Sequence, residues 1–405
     1  MTDLLYACMR SPCTSPRLLL SIGALALAWA CNKETPAPPP LPEPPKPPAL
    51  ANKPPEKPAT YLEAQPGRSE PECVGPLDLA VPEQVRFGKR TAELNGFRLV
   101  FKGKDPKEQL VFGVLANINE DSGENLLNIK RYLEFFKKEG ADAIVVDGDT
   151  GESAESIERA LKPLAETGLP IFVVIGNREC KGDFNDAMLK LQKAFPNIIN
   201  LGRVRDVEFE HAALVSLPGY HDRRYIHCLN GCQYFKQDVD ALGDFLAKRT
   251  QTTPVVLVTH GPPKGETPNA LDLATEVGNV GDPALNALIR RAKIPFGIFA
   301  NIKEAGARAS DLVGNTVIKE DVFADTLYMN PGPADSLFPW ALNDGTTSNG
   351  MAGVLLIQGM QAKFKMYRAK PLTQAEKAQA RKLDPPKISD PDDQAPIKAV
   401  KTARP

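Results

Sequence analysis

Short apolar runs alternate with segments of helical spacing from Leu110 onward. The run LVFGVLA (110–116) is apolar throughout, as expected for a strand that is covered on both faces. Apolar residues then recur at helical spacing, and the helix is predicted to end near Gly140. The predicted inward face of this helix consists of Leu126, Ile129, Leu133 and Phe136.

The same order of strand and helix repeats further along the chain. The strand AIVVDGD (143–149) precedes a predicted helix over 153–167, whose inward residues are Ile157, Leu161 and Leu164. Further apolar strands are predicted in the runs IFVVIGN (171–177), VVLVTHGPP (255–263) and FGIFAN (296–301). The last two follow predicted helices over 238–248 and 282–293. Repeated strand, helix, strand order predicts an α/β fold.

Hairpins are predicted at both ends of this domain, which we place at 84–369. QVRF (84–87) and FRLVF (97–101) alternate in polarity, and Asn95-Gly96 is a turn signal between them. The run 353–369 is predicted to turn near Gly359.

The N-terminal 30 residues have the sequence organisation of a secretory signal peptide. Arg10 and Arg17 precede the apolar run LLLSIGALALAWA, which is too short to span a bilayer comfortably. The run ends in LAWAC, which resembles the lipobox of bacterial lipoproteins, with Cys31 as the residue to be acylated. Ordinary secretion, with Cys31 merely near the cleavage site, is the alternative. With Asn32 in second place, the resemblance implies a lipid anchor in the outer membrane of a Gram-negative host.

The segments on either side of the domain have compositions unlike a packed core. Residues 31–75 contain TPAPPPLPEPPKPPAL, which predicts an extended polyproline spacer between lipid and domain. The tail 370–405 is charged and nearly free of aromatic residues, which predicts disorder apart from a short helix.

Charge and cysteine content narrow the function classes. The formal net charge is −1, so nothing in the composition favours nucleic-acid binding. Four cysteines of the secreted part make disulfides plausible in an oxidising compartment. Cys228 and Cys232 could close a small loop, while pairing with Cys73 or Cys180, and a zinc site, remain alternatives.

Polar motifs follow five of the apolar strands. They are LANIN (115–119), DGDTGE (147–152), IGNRE (175–179), VTHGPP (258–263) and FANIKEAG (299–306). Taken in order, and with the later YMNPGPAD (328–335), they resemble the calcineurin-like metallophosphoesterases over roughly Leu110 to Ala369. The resemblance implies a four-layer α/β sandwich, in which two mixed sheets are flanked by helices.

The resemblance also implies a site in which two divalent ions clamp a phosphoryl oxygen and a histidine protonates the leaving group. Three ligand positions are intact: Asp149 stands where the bridging aspartate belongs, with Asn177 and His260 as ligands of the second ion. The remaining positions are substituted in this chain. They are Asn117, Asn119, Asn301 and Lys303 at ligand positions, and Arg178 in place of the leaving-group histidine.

These substitutions predict a degenerate centre. The first ion would keep only Asp149, because asparagine is a weak ligand and a lysine ammonium has no lone pair. The second ion would keep Asp149, Asn177 and His260, with a carbonyl oxygen of Asn301, so the chain would hold at most one divalent ion of the Mn, Fe, Zn or Mg class. The Lys303 amine is expected to replace the lost first ion beside Asp149, bonded also to Asn117 or Asn119.

The interpretation that follows is an envelope-anchored protein with a metallophosphoesterase fold, catalytically weak or inactive, that serves as a binding or scaffold module. Its expected partners are a membrane through Cys31, and a phosphate-containing ligand or an envelope protein. One alternative is an active phosphoesterase that uses one ion, with charge assistance from Arg178 and Lys303. Another is a purely structural surface protein.

Overall fold

The computed structural model describes residues 59–60, 73–87, 90–103, 107–250 and 252–385. The chain divides into two units, Met1–Pro55 and Glu56–Pro405, and every described residue belongs to the second. The predicted signal peptide, Cys31 and most of the Pro-rich linker therefore lie outside the described residues.

The helices and strands follow the predicted order and add elements to it. The helices of the described residues are α1 (Gly123–Glu139), α2 (Ala154–Ala165), α3 (Lys181–Ala194), α4 (Lys236–Ala247), α5 (Pro283–Ala292) and α6 (Gln374–Ala380), with 3₁₀ turns at Arg223–Tyr225 and Lys303–Ala305. The strands of the first half are β1 (Ala59–Thr60), β2 (Glu83–Phe87), β3 (Arg90–Asn95), β4 (Arg98–Phe101), β5 (Leu110–Leu115), β6 (Ala143–Asp147), β7 (Ile171–Val174), β8 (Ile198–Asn200), β9 (Asp206–Glu208) and β10 (Ala213–Ser216). Those of the second half are β11 (Val255–Thr259), β12 (Leu273–Ala274), β13 (Gly278–Asn279), β14 (Phe296–Phe299), β15 (Arg308–Ser310), β16 (Val317–Ile318), β17 (Leu327–Asn330), β18 (Trp340–Ala341), β19 (Thr347–Ser348), β20 (Met351–Gln358) and β21 (Gln361–Arg368).

Two mixed sheets carry the site. Within the described residues, the smaller has six strands in the order β21-β20-β5-β6-β7-β8, with β5 to β8 parallel and the β20–β21 hairpin antiparallel. The larger has eleven in the order β1-β2-β3-β4-β9-β10-β11-β14-β17-β15-β16. At its centre β10, β11, β14 and β17 are parallel. Their carboxyl ends are where α/β folds place ligands.

The sheets pack face to face, and helices cover their outer faces. Side chains between the sheets include Phe112, Val145, Phe172, Leu214, Val258 and Ile298. Helices α1 to α3 cover the six-stranded sheet through a second cluster that includes Phe136, Ile157 and Met188. Helices α4 and α5 cover the larger sheet through a third cluster that includes Leu242 and Leu285. The predicted α/β sandwich of two mixed sheets flanked by helices is confirmed.

Two details of the predicted elements are wrong. The first hairpin is a three-stranded meander, because β3 lies between β2 and β4 and pairs with both. The predicted Asn95-Gly96 turn therefore joins β3 to β4. On α1, Ile129 and Phe136 are buried as expected, but Leu126 and Leu133 are only partly buried and Tyr132 is fully buried. The helix contacts α2 and α6 as well as β20 of the sheet beneath it, which shifts its buried face.

The disulfides join distant segments. Cys73 pairs with Cys232 and Cys180 pairs with Cys228, with Cα–Cα distances of 5.1 and 5.3 Å. The small Cys228–Cys232 loop that the sequence suggested is therefore not formed. Both bridges end in one loop between β10 and α4, so that loop is tied to two other parts of the domain.

The predicted charged tail begins with a described helix. Helix α6 lies against α1, where Glu376 contacts Arg131. Asp384 accepts a hydrogen bond of 2.7 Å from the Gly123 amide. The rest of the tail, 386–405, lies outside the described residues. In the part of the chain that is described, no helix combines the length and apolarity needed to cross a bilayer.

Candidate functional site

The site residues follow the ends of strands from both sheets. Asn117 and Asn119 come after β5, Asp149 after β6 and Asn301 after β14. All four have left-handed backbone conformations, with φ of 51°, 65°, 54° and 45°. Asparagine and aspartate adopt this region more readily than most residues with a side chain. The turns that end the strands therefore favour these residue types independently of any metal.

Two glycines let the site close tightly. A Cβ on Gly148 would lie 2.4 Å from Nδ1 of His260, and one on Gly176 would lie 2.5 Å from Oδ1 of Asp149. Any larger residue at either position would push these side chains apart. The glycines of the DGD and IGN motifs thus allow strand ends from the two sheets to meet.

Asp149 is the centre of the contacts. Its Oδ1 accepts hydrogen bonds from the amides of Asn177 and Arg178, at 3.2 and 3.1 Å, and lies 3.2 Å from Nε2 of His260. Its Oδ2 lies 3.5 Å from Nζ of Lys303. Burial acts to raise the pKa of Asp149, but His260, Lys303 and Arg178 together hold that pKa well below its usual range. The carboxylate is therefore ionised although it is buried.

His260 is fixed at both ring nitrogens. Nδ1 lies 2.7 Å from the Asp147 carbonyl oxygen, which can only accept, so Nδ1 carries a proton. Nε2 lies 3.1 Å from Oδ1 of Asn177 and faces Asp149. Burial acts to lower the pKa of His260, but Asp149 and Asp147 raise it to about 9. The ring is an imidazolium at neutral pH in this arrangement.

Asn177 has a fixed amide orientation. Its Nδ2 donates to the Tyr225 carbonyl at 2.6 Å, which turns Oδ1 toward His260. The His227 amide donates to the Asn177 carbonyl at 2.9 Å. The loop that carries Tyr225 and His227 therefore helps to orient the residues around Asp149.

Lys303 takes the expected position beside Asp149, but not all of its expected contacts. Its side chain is 9% exposed, and Nζ lies 5.3 Å from the centre of the Trp340 ring. The hydrogen bonds expected to Asn117 and Asn119 are not formed, because Oδ1 of each has no partner among the described residues. Nδ2 of Asn119 donates instead to Asp335 at 3.0 Å. The ammonium is held by a carboxylate and an aromatic face.

The other two predicted residues lie at the edge of this group. Arg178 pairs with Glu152 through a contact of 2.5 Å, and burial of the guanidinium is offset by this pairing, so its pKa stays raised. A guanidinium does not release its proton, so Arg178 cannot act as the general acid. The Asn301 side chain is hydrogen-bonded to Tyr220.

Two buried acids lie behind the site and were not predicted. Glu179 accepts hydrogen bonds from the amides of Thr150 and Gly176, at 2.5 and 3.0 Å. Asp147 is fully buried, and neither of its carboxylate oxygens has a partner among the described residues. Burial raises the pKa of each to about 7.

Two adjoining cavities open at these strand ends. The first, which we call the site cavity, has a volume of about 280 Å³, and Asp149, Asn177, Arg178, Asn301 and Lys303 line it. The sequence did not single out its aromatic walls, which are Tyr220, Tyr225 and Trp340. The second, which we call the acidic cavity, has a volume of about 300 Å³ and is lined by Asn119, Glu120, Glu152, Ser156, Arg178, Asp335, Phe338 and Trp340. Arg178 and Trp340 line both.

A signal for some of these missed residues existed in the sequence. Asp335 is the last residue of the YMNPGPAD motif, and Glu120 directly follows LANIN. Tyr220, Tyr225 and Trp340 lie outside the motifs, and only the packing of loops brings them to the site. His221 packs between the rings of Tyr220 and Tyr234 and is not among the residues that line the site cavity.

The donor atoms do not fit two metal ions. At the first position Lys303 places a positive charge beside Asp149, and Asn117 and Asn119 are neutral. Among the described residues, no three His, Cys, Asp or Glu side chains form a group that could hold a metal. At the second position an oxygen of Asp149, an oxygen of Asn177 and Nε2 of His260 lie together, and Nε2 can bind an ion only after it loses the proton that it carries in the imidazolium form.

Comparison with known families supports the resemblance. The calcineurin-like phosphoesterase family model matches residues 121–290. This part of the chain contains α1, the DGD, IGN and VTHGPP motifs, and α5. The resemblance to this family is confirmed for these residues.

The solved structures that match are distant in sequence. TT1561 of Thermus thermophilus is 12% identical with a TM-score of 0.43, over 64% of this chain and 99% of that one. GAP50, the anchor in the inner membrane complex of Plasmodium, is 17% identical with a TM-score of 0.40, over 69% and 96%. A dimetal phosphatase from Danio rerio is 12% identical with a TM-score of 0.39, over 64% and 99%. A comparison with curated proteins found no match.

Proposed function

We propose that this protein is a binding module that retains a metallophosphoesterase-like fold without two-metal hydrolysis. The observation that carries the proposal is the Lys303 ammonium, 3.5 Å from Oδ2 of Asp149. A buried carboxylate needs a positive partner, and here the chain supplies one itself. Asp149 therefore needs no ion at the first position to remain charged.

The residue at the position of the leaving-group acid supports the same conclusion. Hydrolysis of a phosphate ester is assisted by a group that can give up a proton near neutral pH. Arg178 cannot do so, although its guanidinium can bind an anionic oxygen. Arg178 and Lys303 line one cavity with aromatic walls, an arrangement suited to holding a ligand.

Metal content and hydrolysis test the proposal together. The full chain, purified without chelator, is expected to hold less than about 0.1 equivalent of any divalent metal by elemental analysis, a level at which a site is effectively empty. It is also expected to leave bis(p-nitrophenyl) phosphate intact with added Mn²⁺. Turnover that is lost in Asp149→Asn and kept in the exposed-residue control Asp186→Asn would overturn the proposal.

A second candidate is a phosphoesterase that uses one ion. The three possible ligand atoms favour it, since Nε2 of His260 lies 3.1 Å from Oδ1 of Asn177 and 3.2 Å from Oδ1 of Asp149. Such an ion would act as a Lewis acid on a phosphoryl oxygen. It would have to displace the second proton of His260, so binding would strengthen as the pH rises toward about 9. Calorimetric titration with Mn²⁺ at two pH values distinguishes it from the binding module.

We further propose that the protein works at the cell envelope, attached by lipid at Cys31. The signal-like N-terminus and the LAWAC sequence support this, and the proline-rich residues after Cys31 would set the domain away from the membrane. Disulfides Cys73–Cys232 and Cys180–Cys228 suit an oxidising compartment. The expected partner is a phosphate-containing ligand or an envelope protein.

A further inference from the structure

Only some of the charged side chains that line the acidic cavity form ion pairs with other described residues. Glu152 is paired with Arg178, and Lys303 is paired with Asp149. No ion pair is formed by Glu120 or Asp335 within the described residues. Oε1 of Glu120 is buried and has no hydrogen-bond partner there. The cavity therefore presents two carboxylates whose charge the surrounding structure does not neutralise.

A residue that lines the same cavity has a buried amide oxygen without a partner among the described residues. Asn119 is 7% exposed and lines the cavity, and its Nδ2 is used by Asp335. Its Oδ1 has no hydrogen-bond partner among the described residues. A buried acceptor without a partner lowers stability, so a hydrogen-bond donor from a ligand would be stabilised at this oxygen.

Aromatic rings complete the cavity. Phe338, which is 63% exposed, and Trp340 line this cavity, and Trp340 also lines the site cavity. Ring faces attract cations, most strongly where water is excluded. Carboxylates, a free amide oxygen and aromatic faces together are complementary to a positively charged organic group.

We propose that the acidic cavity binds the primary ammonium group of an organic ligand, with Glu120 and Oδ1 of Asn119 accepting its hydrogen bonds and Phe338 packing against its carbon chain. An ammonium has three donors and no acceptor, which matches this set of oxygens. This inference extends the proposed binding function, because it gives the ligand class for the cavity that adjoins Asp149.

A metal ion fits the cavity less well than an organic cation. The described residues contain no group of three His, Cys, Asp or Glu side chains that could hold a metal. The volume of about 300 Å³ is also many times that of one water molecule, roughly 30 Å³ in the liquid. An ion alone would leave the rings and most of the space unused.

Tryptophan fluorescence provides a direct test. The chain has two tryptophans, Trp29 and Trp340, so the full-length variant Trp29→Phe reports from the cavity wall alone. Butylammonium chloride is expected to change its emission in a saturable way, whereas sodium butyrate, which has a similar carbon chain and the opposite charge, is not. In this background Glu120→Gln is expected to weaken butylammonium binding about tenfold, since a charged hydrogen bond is lost.

A control variant outside the cavity and a second variant inside it show whether the effect of Glu120→Gln is specific to the cavity. Glu134→Gln makes the same charge change on an exposed residue of α1 and is expected to alter binding less than about twofold. Phe338→Ala changes an exposed side chain, so the fold is expected to persist, and binding is expected to weaken about threefold. No saturable response to butylammonium, an equal response to butyrate, or unchanged binding in both cavity variants would overturn the inference.

The outcome can be separated from that of the proposed function. Metal content and hydrolysis are measured on the same preparation. A metal-free, inactive protein that fails to bind butylammonium overturns only this inference. A protein that hydrolyses phosphodiesters and still binds butylammonium overturns only the proposed function.

Discussion

At the scale of single residues, the backbone conformation explains which residue types the strand-end turns of the site favour. Asn117, Asn119, Asp149 and Asn301 all have positive φ. Asparagine, aspartate and histidine enter this region several times more often than other residues with side chains. Exchange between these types changes the metal chemistry while leaving the strand-end turns intact. Lys303 lies just beyond such a turn, in a 3₁₀ segment, where its long stem reaches Asp149.

Removal of the Lys303 charge is expected to destabilise the fold. Lys303→Met leaves Asp149 with only His260 and two amides, and we expect the free energy of unfolding to fall by about 2–3 kcal/mol. Lys130→Met, on the exposed face of α1, is the matched control and should change it by less than about 0.5 kcal/mol. Urea denaturation measures both. Equal effects of the two variants would show that the pair with Asp149 contributes little.

The pKa of His260 predicts a loss of stability in alkali. Its folded value of about 9 lies above the ordinary 6.5, so the bound proton stabilises the folded state. This contribution is complete below about pH 6.5 and is lost as the pH rises through about 9, amounting to at most about 3–4 kcal/mol. Between pH 7 and 9 the contribution of His260 is separated from that of two buried acids. The pKa values of Asp147 and Glu179 are raised to about 7 each, so these groups change their protonation mainly at lower pH.

Urea denaturation with chelator present, from pH 7 to 9, measures this effect. His260→Gln is expected to flatten the dependence, while His211→Gln, whose ring contacts a surface carbonyl, should keep it. A slope that is unchanged in His260→Gln would assign the effect to another group.

At the scale of elements, the loop between β10 and α4 completes the site. The loop supplies Tyr220 and Tyr225 to the wall of the site cavity. It is tied to α3 by Cys180–Cys228 and to the segment before β2 by Cys73–Cys232. Backbone hydrogen bonds, such as that from the His227 amide to Asn177, add to these links. The bridges therefore hold a wall of the cavity as well as the fold.

Loss of one bridge is expected to loosen this loop. The Cys180–Cys228 bridge spans 48 residues, and chain-entropy arguments give it about 3–4 kcal/mol of stability. In the double variant Cys180→Ala, Cys228→Ala we expect a fall of this size and faster tryptic cleavage after Arg223 and Arg224, both exposed. Unchanged cleavage at these arginines would show that the remaining contacts alone fix the loop.

Metal ligands introduced together at several strand ends are expected to give the site affinity for metal. The fourfold variant Asn117→Asp, Asn119→His, Asn301→His, Lys303→His supplies a complete set of ligands on backbone that accepts them. We expect it to bind Mn²⁺ in calorimetric titration, while each single change has little effect, because the ligands form one cage. Circular dichroism verifies folding. A folded fourfold variant without affinity, or tight binding by the unchanged chain, would contradict the assignment of these positions.

At the scale of the whole molecule, the proposed N-terminal anchor and the candidate site belong to different parts of the chain. The described domain starts at β1 and β2, at the edge of the larger sheet. The site lies at the ends of β6, β7, β11 and β14, in the middle of both sheets. The proposed anchor at Cys31 precedes β1 in the chain, whereas the site residues follow central strands of the two sheets.

The lipid anchor can be tested in the full chain. Cys31→Ser is expected to move the protein from the membrane fraction to the soluble fraction and to abolish labelling with an alkyne fatty acid, because acyl chains supply the attachment. Cys13→Ser, in the predicted signal, is the matched control and should remain in the membrane fraction. Membrane association of Cys31→Ser equal to that of the unchanged chain would exclude this anchor.

Local pattern in the chain was enough to predict the main elements and the ends of the strands. Continuous apolar runs such as LVFGVLA and AIVVDGD are typical of strands covered on both faces, so the α/β class followed from their order with the helices. The polar motifs at the ends of these runs indicated the positions of Asp149, Asn177 and His260, because the carboxyl ends of parallel strands share an edge.

Contacts between segments that are distant in the chain became visible only in the folded molecule. Cys228 pairs with Cys180 rather than its neighbour Cys232, because the loop folds back on α3, and no local pattern encodes that path. Strand β3 buries Ala92 and Leu94 and is held by its pairing with β2 and β4. Trp340 and Asp335 reach the site from loops near the end of the domain. Asn119 bonds to Asp335 instead of Lys303, since hydrogen-bond choice depends on which buried groups meet in space.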